Sequence, residues 1–136
     1  MTKEIWLNLP VKDAKRSKEF FIKLGFEMIE ERCNDQMTAM TIGSKKIAVM
    51  LFSEQMFKGF AQNEICDTKT GSEVLISFDA ESREEIDEIV KRAEAAGANI
   101  FGKPSEIQGW MYGCGFADLD GHRWNALYMD MGKMPK

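Results

Sequence analysis

Apolar and polar residues alternate along this chain at two periods, and the switches between those periods mark out the elements. From Ile5 to Val11 the period is two: Ile5, Leu7 and Leu9 fall on one side, and Trp6, Asn8 and Pro10 on the other. That is a strand, with Pro10, which lacks an N–H, at its end or on a sheet edge. From Asp13 the period lengthens. Ala14, Ser17, Phe20, Phe21 and Leu24 recur at three- and four-residue spacing among lysines, Arg16 and Glu19, the pattern of a helix with one buried stripe, capped by Asp13 and ended by Gly25. Phe26 to Glu31 reads as a strand, Asn34-Asp35 as a turn, and the segments 36–42 and 46–53 as a hairpin around Gly43-Ser44-Lys45.

The same succession then recurs. Glu73 to Phe78 reads as a strand. Ser82 with Glu85 forms a capping box, and Ile86, Ile89, Val90 and Ala93 form the buried stripe of a second helix that Gly97 ends. Glu84 and Glu85 near its start, and Lys91 and Arg92 near its end, agree with the helix dipole. Ala98 to Gly102 predicts a strand and Lys103-Pro104-Ser105 a turn. Gly109 to Asp130 predicts two strands joined by a two-residue loop at Asp120-Gly121, a dipeptide that tolerates positive φ. Beyond that loop His122, Trp124, Ala126 and Tyr128 point one way, and Arg123, Asn125, Leu127 and Met129 the other. The second of these faces mixes polar and apolar groups as a cavity wall does. Residues 131–136 read as a frayed tail.

The order strand–helix–strand–strand–strand thus occurs twice, at an offset of roughly 70 residues, the mark of a duplicated architecture. The predicted class is α+β, a single domain of two paired βαβββ modules: module one over 1–53, a connecting loop over 54–72 and module two over 73–130. One helix covers one face of each half-sheet. The open faces are expected to close on each other as a curved, cup-like mixed sheet around a cleft. In the connecting segment, Met56, Phe57 and Phe60 line one side of a short helical turn. Three uses are open to it: covering a cavity mouth, patching the core, or docking a partner.

Composition narrows the function classes. A formal net charge of −4 over 136 residues argues against nucleic acid and anionic membranes as partners, both of which favour a basic surface. No apolar run is long enough to span a bilayer, and Met1-Thr2-Lys3-Glu4 leads directly into a strand without a signal-peptide pattern, so a cytoplasmic location is expected. Cys33, Cys66 and Cys114 are widely spaced and odd in number, which fits reduced thiols rather than a disulfide framework. Nucleophilic catalysis by Cys114 would need the lone histidine, His122, as its base.

The run Leu9-Pro10-Val11-Lys12-Asp13, followed by Ser17-Lys18-Glu19-Phe20-Phe21 and Leu24-Gly25-Phe26, and then Phe116-Ala117-Asp118-Leu119-Asp120-Gly121-His122-Arg123-Trp124, resembles the vicinal oxygen chelate superfamily in order and spacing. That superfamily includes glyoxalase I (lactoylglutathione lyase), bleomycin-resistance proteins, fosfomycin-resistance proteins and extradiol dioxygenases. Val49-Met50-Leu51 with Phe57, and Trp110-Met111-Tyr112-Gly113, are similar to a glyoxalase-like bacterial branch of it. The resemblance implies paired βαβββ modules, a homodimer, and a cup that often holds a divalent metal acting as a Lewis acid. It also implies that the ligand positions fall on Trp6, on Met50 or Leu51, on Glu73 and on Asn125. Tryptophan, methionine and leucine cannot ligate a hard cation and asparagine does so weakly, so no cofactor and a degenerate metal site are expected.

Two function classes follow. One is a metal-independent protein of the bleomycin-resistance kind, binding a small amphipathic molecule. The other is a glyoxalase-like lyase or isomerase with an atypical metal site. The residues expected to line the cup are Trp6, Asn8, Met50, Phe52, Trp110, Tyr112, Arg123 and Asn125. For Trp6 and Asn125, void filling and strand bonding are the alternatives. Core packing is the alternative for Met50, Phe52 and Tyr112. Arg123 either meets an anionic ligand, pairs with Glu73, or is solvated. Glu73 is the one nominated catalytic base: burial without a partner would raise its pKa, and pairing with Arg123 would lower it.

Overall fold

The computed structural model describes residues 1–135, so Lys136, the last residue of the expected tail, lies outside the described residues. The chain divides into two compact units, the first spanning Met1–Asp67 and the second starting at Thr68. The first contains β1 (Trp6–Val11), α1 (Ala14–Leu24), β2 (Glu27–Met28), β3 (Met37–Ile42), β4 (Ile47–Ser53) and α2 (Glu54–Ala61). The second contains β5 (Leu75–Asp79), α3 (Arg83–Ala95), β6 (Asn99–Ile107), β7 (Met111–Ala117) and β8 (Arg123–Met129). Each holds a four-stranded mixed sheet, ordered β1-β4-β3-β2 and β5-β8-β7-β6, with the parallel pair at one edge. The fold is therefore α+β, with the βαβββ order present twice. No helix among the described residues is long and apolar enough to cross a membrane.

In the first unit the expected helix forms with its expected stripe. Asp13 accepts the Arg16 N–H at 3.1 Å, Gly25 closes the helix at φ 101°, and Ala14, Ser17, Phe20, Phe21 and Leu24 are buried. The sheet residues facing α1 are Leu9, Val11, Thr38, Met40, Val49 and Leu51. Thr38 Oγ1, fully buried, donates to the Ala14 carbonyl at 2.9 Å, tying strand to helix. The expected strand over 26–31 is shorter: β2 covers two residues, and Glu30–Arg32 coil into a 3-10 turn. Three consecutive charged side chains there have no partner strand that would reward extension.

The segment after β4 is a helix for eight residues, not only a turn, because Ser53 caps it by accepting the Met56 N–H at 3.3 Å. Met56 and Phe57 pack on Ala39, Met50 and Phe52, the alternate positions of β3 and β4 that face away from α1. Phe60 meets the Phe52 ring at 5.2 Å between centroids. Met56 and Phe57 patch the core, the second of the three uses left open by the sequence, while Phe60 stays largely exposed.

In the second unit α3 buries Ile86, Ile89 and Ala93. Ser82 accepts the Glu85 N–H at 3.1 Å, and the Glu85 carboxylate reaches back to the Glu81 N–H at 3.4 Å. The turn expected at Lys103-Pro104-Ser105 is instead part of a nine-residue strand. Strand β6 passes through Pro104 with irregular register on either side of Gly102, which an edge strand permits because Pro has no N–H to leave unpaired. The chain reverses later, at Gln108 and Gly109, both at positive φ (54° and 79°), so β7 begins at Met111 rather than Gly109.

The β7–β8 connection also differs from the expected two-residue loop. Leu119, Asp120 and Gly121 span it: the Asp118 N–H donates to the His122 carbonyl at 2.9 Å and the Gly121 N–H to the Asp118 carbonyl at 3.0 Å, with Gly121 at φ 85°. That is the three-residue hairpin with a left-handed glycine. The Asp118 carboxylate locks it. Oδ1 accepts the backbone N–H groups of Asp120 and His122 at 3.0 Å each, and Oδ2 accepts the Trp124 indole N–H at 3.0 Å. Burial pushes the Asp118 carboxyl above its ordinary value, while His122 and these donors pull it back. Thr68 Oγ1 donates to the Asp120 carbonyl at 2.7 Å and stands where a Cβ on Gly121 would lie, 2.2 Å away.

Asp118→Ala strands the buried Trp124 indole N–H and frees the loop; we expect it to destabilise the protein by about 3 kcal/mol in urea unfolding. Asp13→Ala, the loss of an exposed cap, is expected to cost about 1 kcal/mol in the same measurement.

Candidate functional site

Strand alternation in the second unit separates two chemistries. Tyr112, Cys114, Phe116, Trp124, Ala126 and Tyr128 are paired across β7 and β8 and lie on the α3 side, where the Phe116 and Trp124 rings stack at an interplanar angle of 4°. On the opposite, helix-free face, Arg123 and Asn125 of β8 sit in register with Leu75 and Ser77 of β5, and with Ala117 and Gly115 of β7.

Gly115 governs this face. A Cβ there would lie 2.4 Å from Phe101 Cε1 and 3.2 Å from Asn125 Oδ1. With no side chain on β7 at that point, Phe101 of the edge strand β6 leans across β7 and reaches β8. The Arg123 guanidinium carbon rests 4.3 Å from the Phe101 ring centroid, a cation–π contact. Among the described residues Arg123 has no carboxylate partner, and the Asn125 amide and the Ser77 hydroxyl have no hydrogen-bond partner. Three polar side chains on one face are thus held in place but not used by the fold.

The other residues expected at the site fall elsewhere. Trp6 and Asn8 are exposed on β1, on the side away from α1. Met50 and Phe52 share that side but are buried beneath α2. Tyr112 lies on the α3 side, where its hydroxyl donates to Asp87 Oδ1 at 2.7 Å; that bond holds the phenol above its ordinary value. Arg83 lies over both the Tyr112 and Tyr128 rings and pairs with Glu106 at 2.8 Å. Trp110 is in the turn between β6 and β7, with its indole Nε1 buried and unpartnered among the described residues. Glu73, expected in a strand, is exposed and precedes β5 by two residues, so the burial on which its nomination as a base depended is not met. It forms no ion pair with Arg123. The stretch before Leu75 has no ladder partner, since β8 begins opposite Leu75 itself.

Phe101, Gly115 and Ser77 were not singled out from the sequence. A signal existed for one of them: Gly113-Cys114-Gly115 places two glycines on the same face of a strand, which marks a close approach by neighbouring groups. Phe101 and Ser77 join the site only through strand order and register.

The ligand positions implied by the resemblance do not make a donor set for a hard divalent cation. Trp6 has no lone-pair donor, Met50 is buried under α2, Glu73 lies outside the strand, and Asn125 is a neutral amide. No group of three or more His, Cys, Asp or Glu placed to hold a metal ion occurs among the described residues. Cys114 is buried on the α3 side and desolvation pushes its thiol above the ordinary value, so it is a poor nucleophile.

Two outcomes follow. With an aromatic disulfide reagent at neutral pH, exposed Cys66 is expected to react promptly, and Cys114 only after unfolding; Cys66→Ser should abolish the prompt phase. Gly115→Ala forces Phe101 off its seat, with an expected loss of about 1–3 kcal/mol of stability. The Arg123 Nε–H resonance should lose its ring-current shift in the same variant.

Residues 5–126 match the model of the Glyoxalase/Bleomycin resistance protein/Dioxygenase superfamily. The hypothetical protein SA1046 from S. aureus is 33% identical, superposes with a TM-score of 0.84, and is matched over 94% of this chain and 95% of its own. A glyoxalase/bleomycin resistance protein/dioxygenase family enzyme from Burkholderia phytofirmans PsJN shares the fold at 21% identity and a TM-score of 0.77, over 91% and 96% of the two chains. So does the fosfomycin resistance protein FosX from Listeria monocytogenes, solved with Mn(II) and sulfate ion, at 18% identity and a TM-score of 0.67 over 96% and 93%. No curated protein matches. With the βαβββ order repeated in both units and the family model spanning nearly all of them, the chain belongs to the Glyoxalase/Bleomycin resistance protein/Dioxygenase superfamily.

Proposed function

We propose that this protein binds a small amphipathic molecule on the helix-free face of its second sheet, and does so without the metal centre that the family resemblance implies. The observation that carries the reading is the set of uncommitted polar groups on that face. Arg123, Asn125 and Ser77 are positioned by strand register and by Phe101, yet serve no bond within the fold. Apolar Leu75, Leu127 and Phe101 lie beside them on the same face. A few fixed polar groups among apolar ones is the composition of a small-molecule site. The poor donor set supports binding without a metal, and a homodimer is part of the same proposal.

The test is a thermal-shift screen of small aromatic and aliphatic amphiphiles, neutral and charged, against the wild type and Asn125→Leu. A ligand present at about a hundred times its Kd stabilises the fold by about 2.7 kcal/mol, several degrees in Tm. That shift should shrink in Asn125→Leu. A screen in which nothing stabilises the wild type, or in which the variant responds equally, would sink the proposal. Stoichiometric manganese, nickel or zinc retained through dialysis, together with turnover of a hemithioacetal, would replace it with a lyase or isomerase.

A further inference from the structure

The polar groups on the helix-free face of the second sheet are not equivalent, and their arrangement selects a ligand class. The Arg123 guanidinium carbon lies over the Phe101 ring, 4.3 Å from its centroid. A guanidinium carries five N–H donors, and a contact with a ring face pairs none of them with an oxygen acceptor. No carboxylate of the described chain takes up those donors. Asp79, the acidic residue on this face of β5, is in register with Leu127, four residues along β8 from Arg123. At the rise of a strand that is about 13 Å, beyond the Debye length of about 8 Å at physiological salt. In a chain with a net charge of −4, Arg123 is a cation that rests on an aromatic ring and forms no ion pair among the described residues.

Asn125 stands one strand repeat further along the same face, beside Ser77. Its Oδ1 lies 3.2 Å from the point a Gly115 Cβ would occupy, so the amide lies close over the bare part of β7. A planar oxyanion at the Arg123 edge would accept two parallel N–H bonds, with the Asn125 NH2 available as a further donor. The apolar residues to either side, Leu75 and Leu127, suit a carbon body and not a second charge.

We infer that the ligand of this face is a small organic acid, its carboxylate held by the Arg123 guanidinium that rests over Phe101 and its apolar body lying over Leu75, Leu127 and the glycine-bare stretch of β7. This rests on the binding function proposed above and narrows it to anions with an apolar end. The Phe101 contact serves as pre-organisation: the guanidinium loses less freedom on binding because it already rests against the ring.

Benzoate and its neutral counterpart benzamide distinguish the inference from the broader reading. Each is titrated into 15N-labelled protein at constant ionic strength, following the Arg123 Nε–H and the Asn125 and Trp124 side-chain resonances. Benzoate is expected to move the Arg123 and Asn125 signals saturably and to bind at least about tenfold more tightly than benzamide, as expected for a charge-assisted bond. Arg123→Gln should remove the preference. Arg123→Lys, which keeps the charge without the planar fork, should recover only part of it, and Phe101→Ala should weaken benzoate several-fold. An unmoved Trp124 indole signal reports that each variant remains folded. Equal binding of benzoate and benzamide to wild type and Arg123→Gln alike would overturn the anion selectivity while leaving a small-molecule site standing. Absence of any saturable shift on this face with either probe would overturn both.

Discussion

A four-stranded sheet has two faces, and each unit of this protein supplies one long amphipathic helix. That imbalance governs the rest. Helices α1 and α3 each bury one face of a sheet, α1 with small residues first and Phe20, Phe21 and Leu24 later, α3 with Ile86 and Ile89 first and Ala93 later. The second faces are resolved differently. In the first unit α2 lays Met56 and Phe57 over Ala39, Met50 and Phe52, so much of that face becomes core. In the second unit only a 3-10 turn, Met131–Lys133, follows β8 among the described residues, and the corresponding face keeps polar side chains with no hydrogen-bond partner among those residues. The proposed binding chemistry lies there because packing has not consumed those groups.

The register of β8 places those side chains, and a one-residue slip would turn every one of them to the α3 side. The Asp118 carboxylate guards against that slip. It accepts three N–H groups in a buried loop, two from the backbone and one from the Trp124 indole, and so fixes the first residues of β8 relative to the last of β7. Thr68, at the very start of the unit, ties the same loop to the chain that leads toward β5. The stacked Phe116 and Trp124 rings then hold β7 and β8 together from the core side. Structural residues on one face thereby set the geometry of the uncommitted polar residues on the other.

The missing side chain at Gly115 matters as much as those present. It lets a residue of the edge strand reach over its neighbour to touch β8, a contact that ordinary cross-strand pairing would not allow. Its consequence is chemical. An arginine that rests on a ring with its donors unpaired differs from a solvated one, because it is already held in place.

Much of the architecture was legible in the sequence because it depends on local rules. The period of apolar residues defined both long helices. Asp13, Ser82 and Gly25 marked their ends, and the alternation from His122 to Met129 sorted β8 into a core side and a mixed side. The repeat of these signals gave the two βαβββ modules. What the tertiary structure decided was every matter of neighbourhood. Asp120-Gly121 signals a tight turn in any sequence, but the three-residue loop follows from Asp118 bonding to His122 across it. Pro104 reads as a turn until β6 proves to be an edge strand. Tyr112 and Arg123 look alike as candidates in one dimension; pairing across β7 and β8 sends the first to Asp87 on α3 and the second to Phe101 on the other face. Periodicity fixes which way a side chain points, whereas strand order and register fix what it meets.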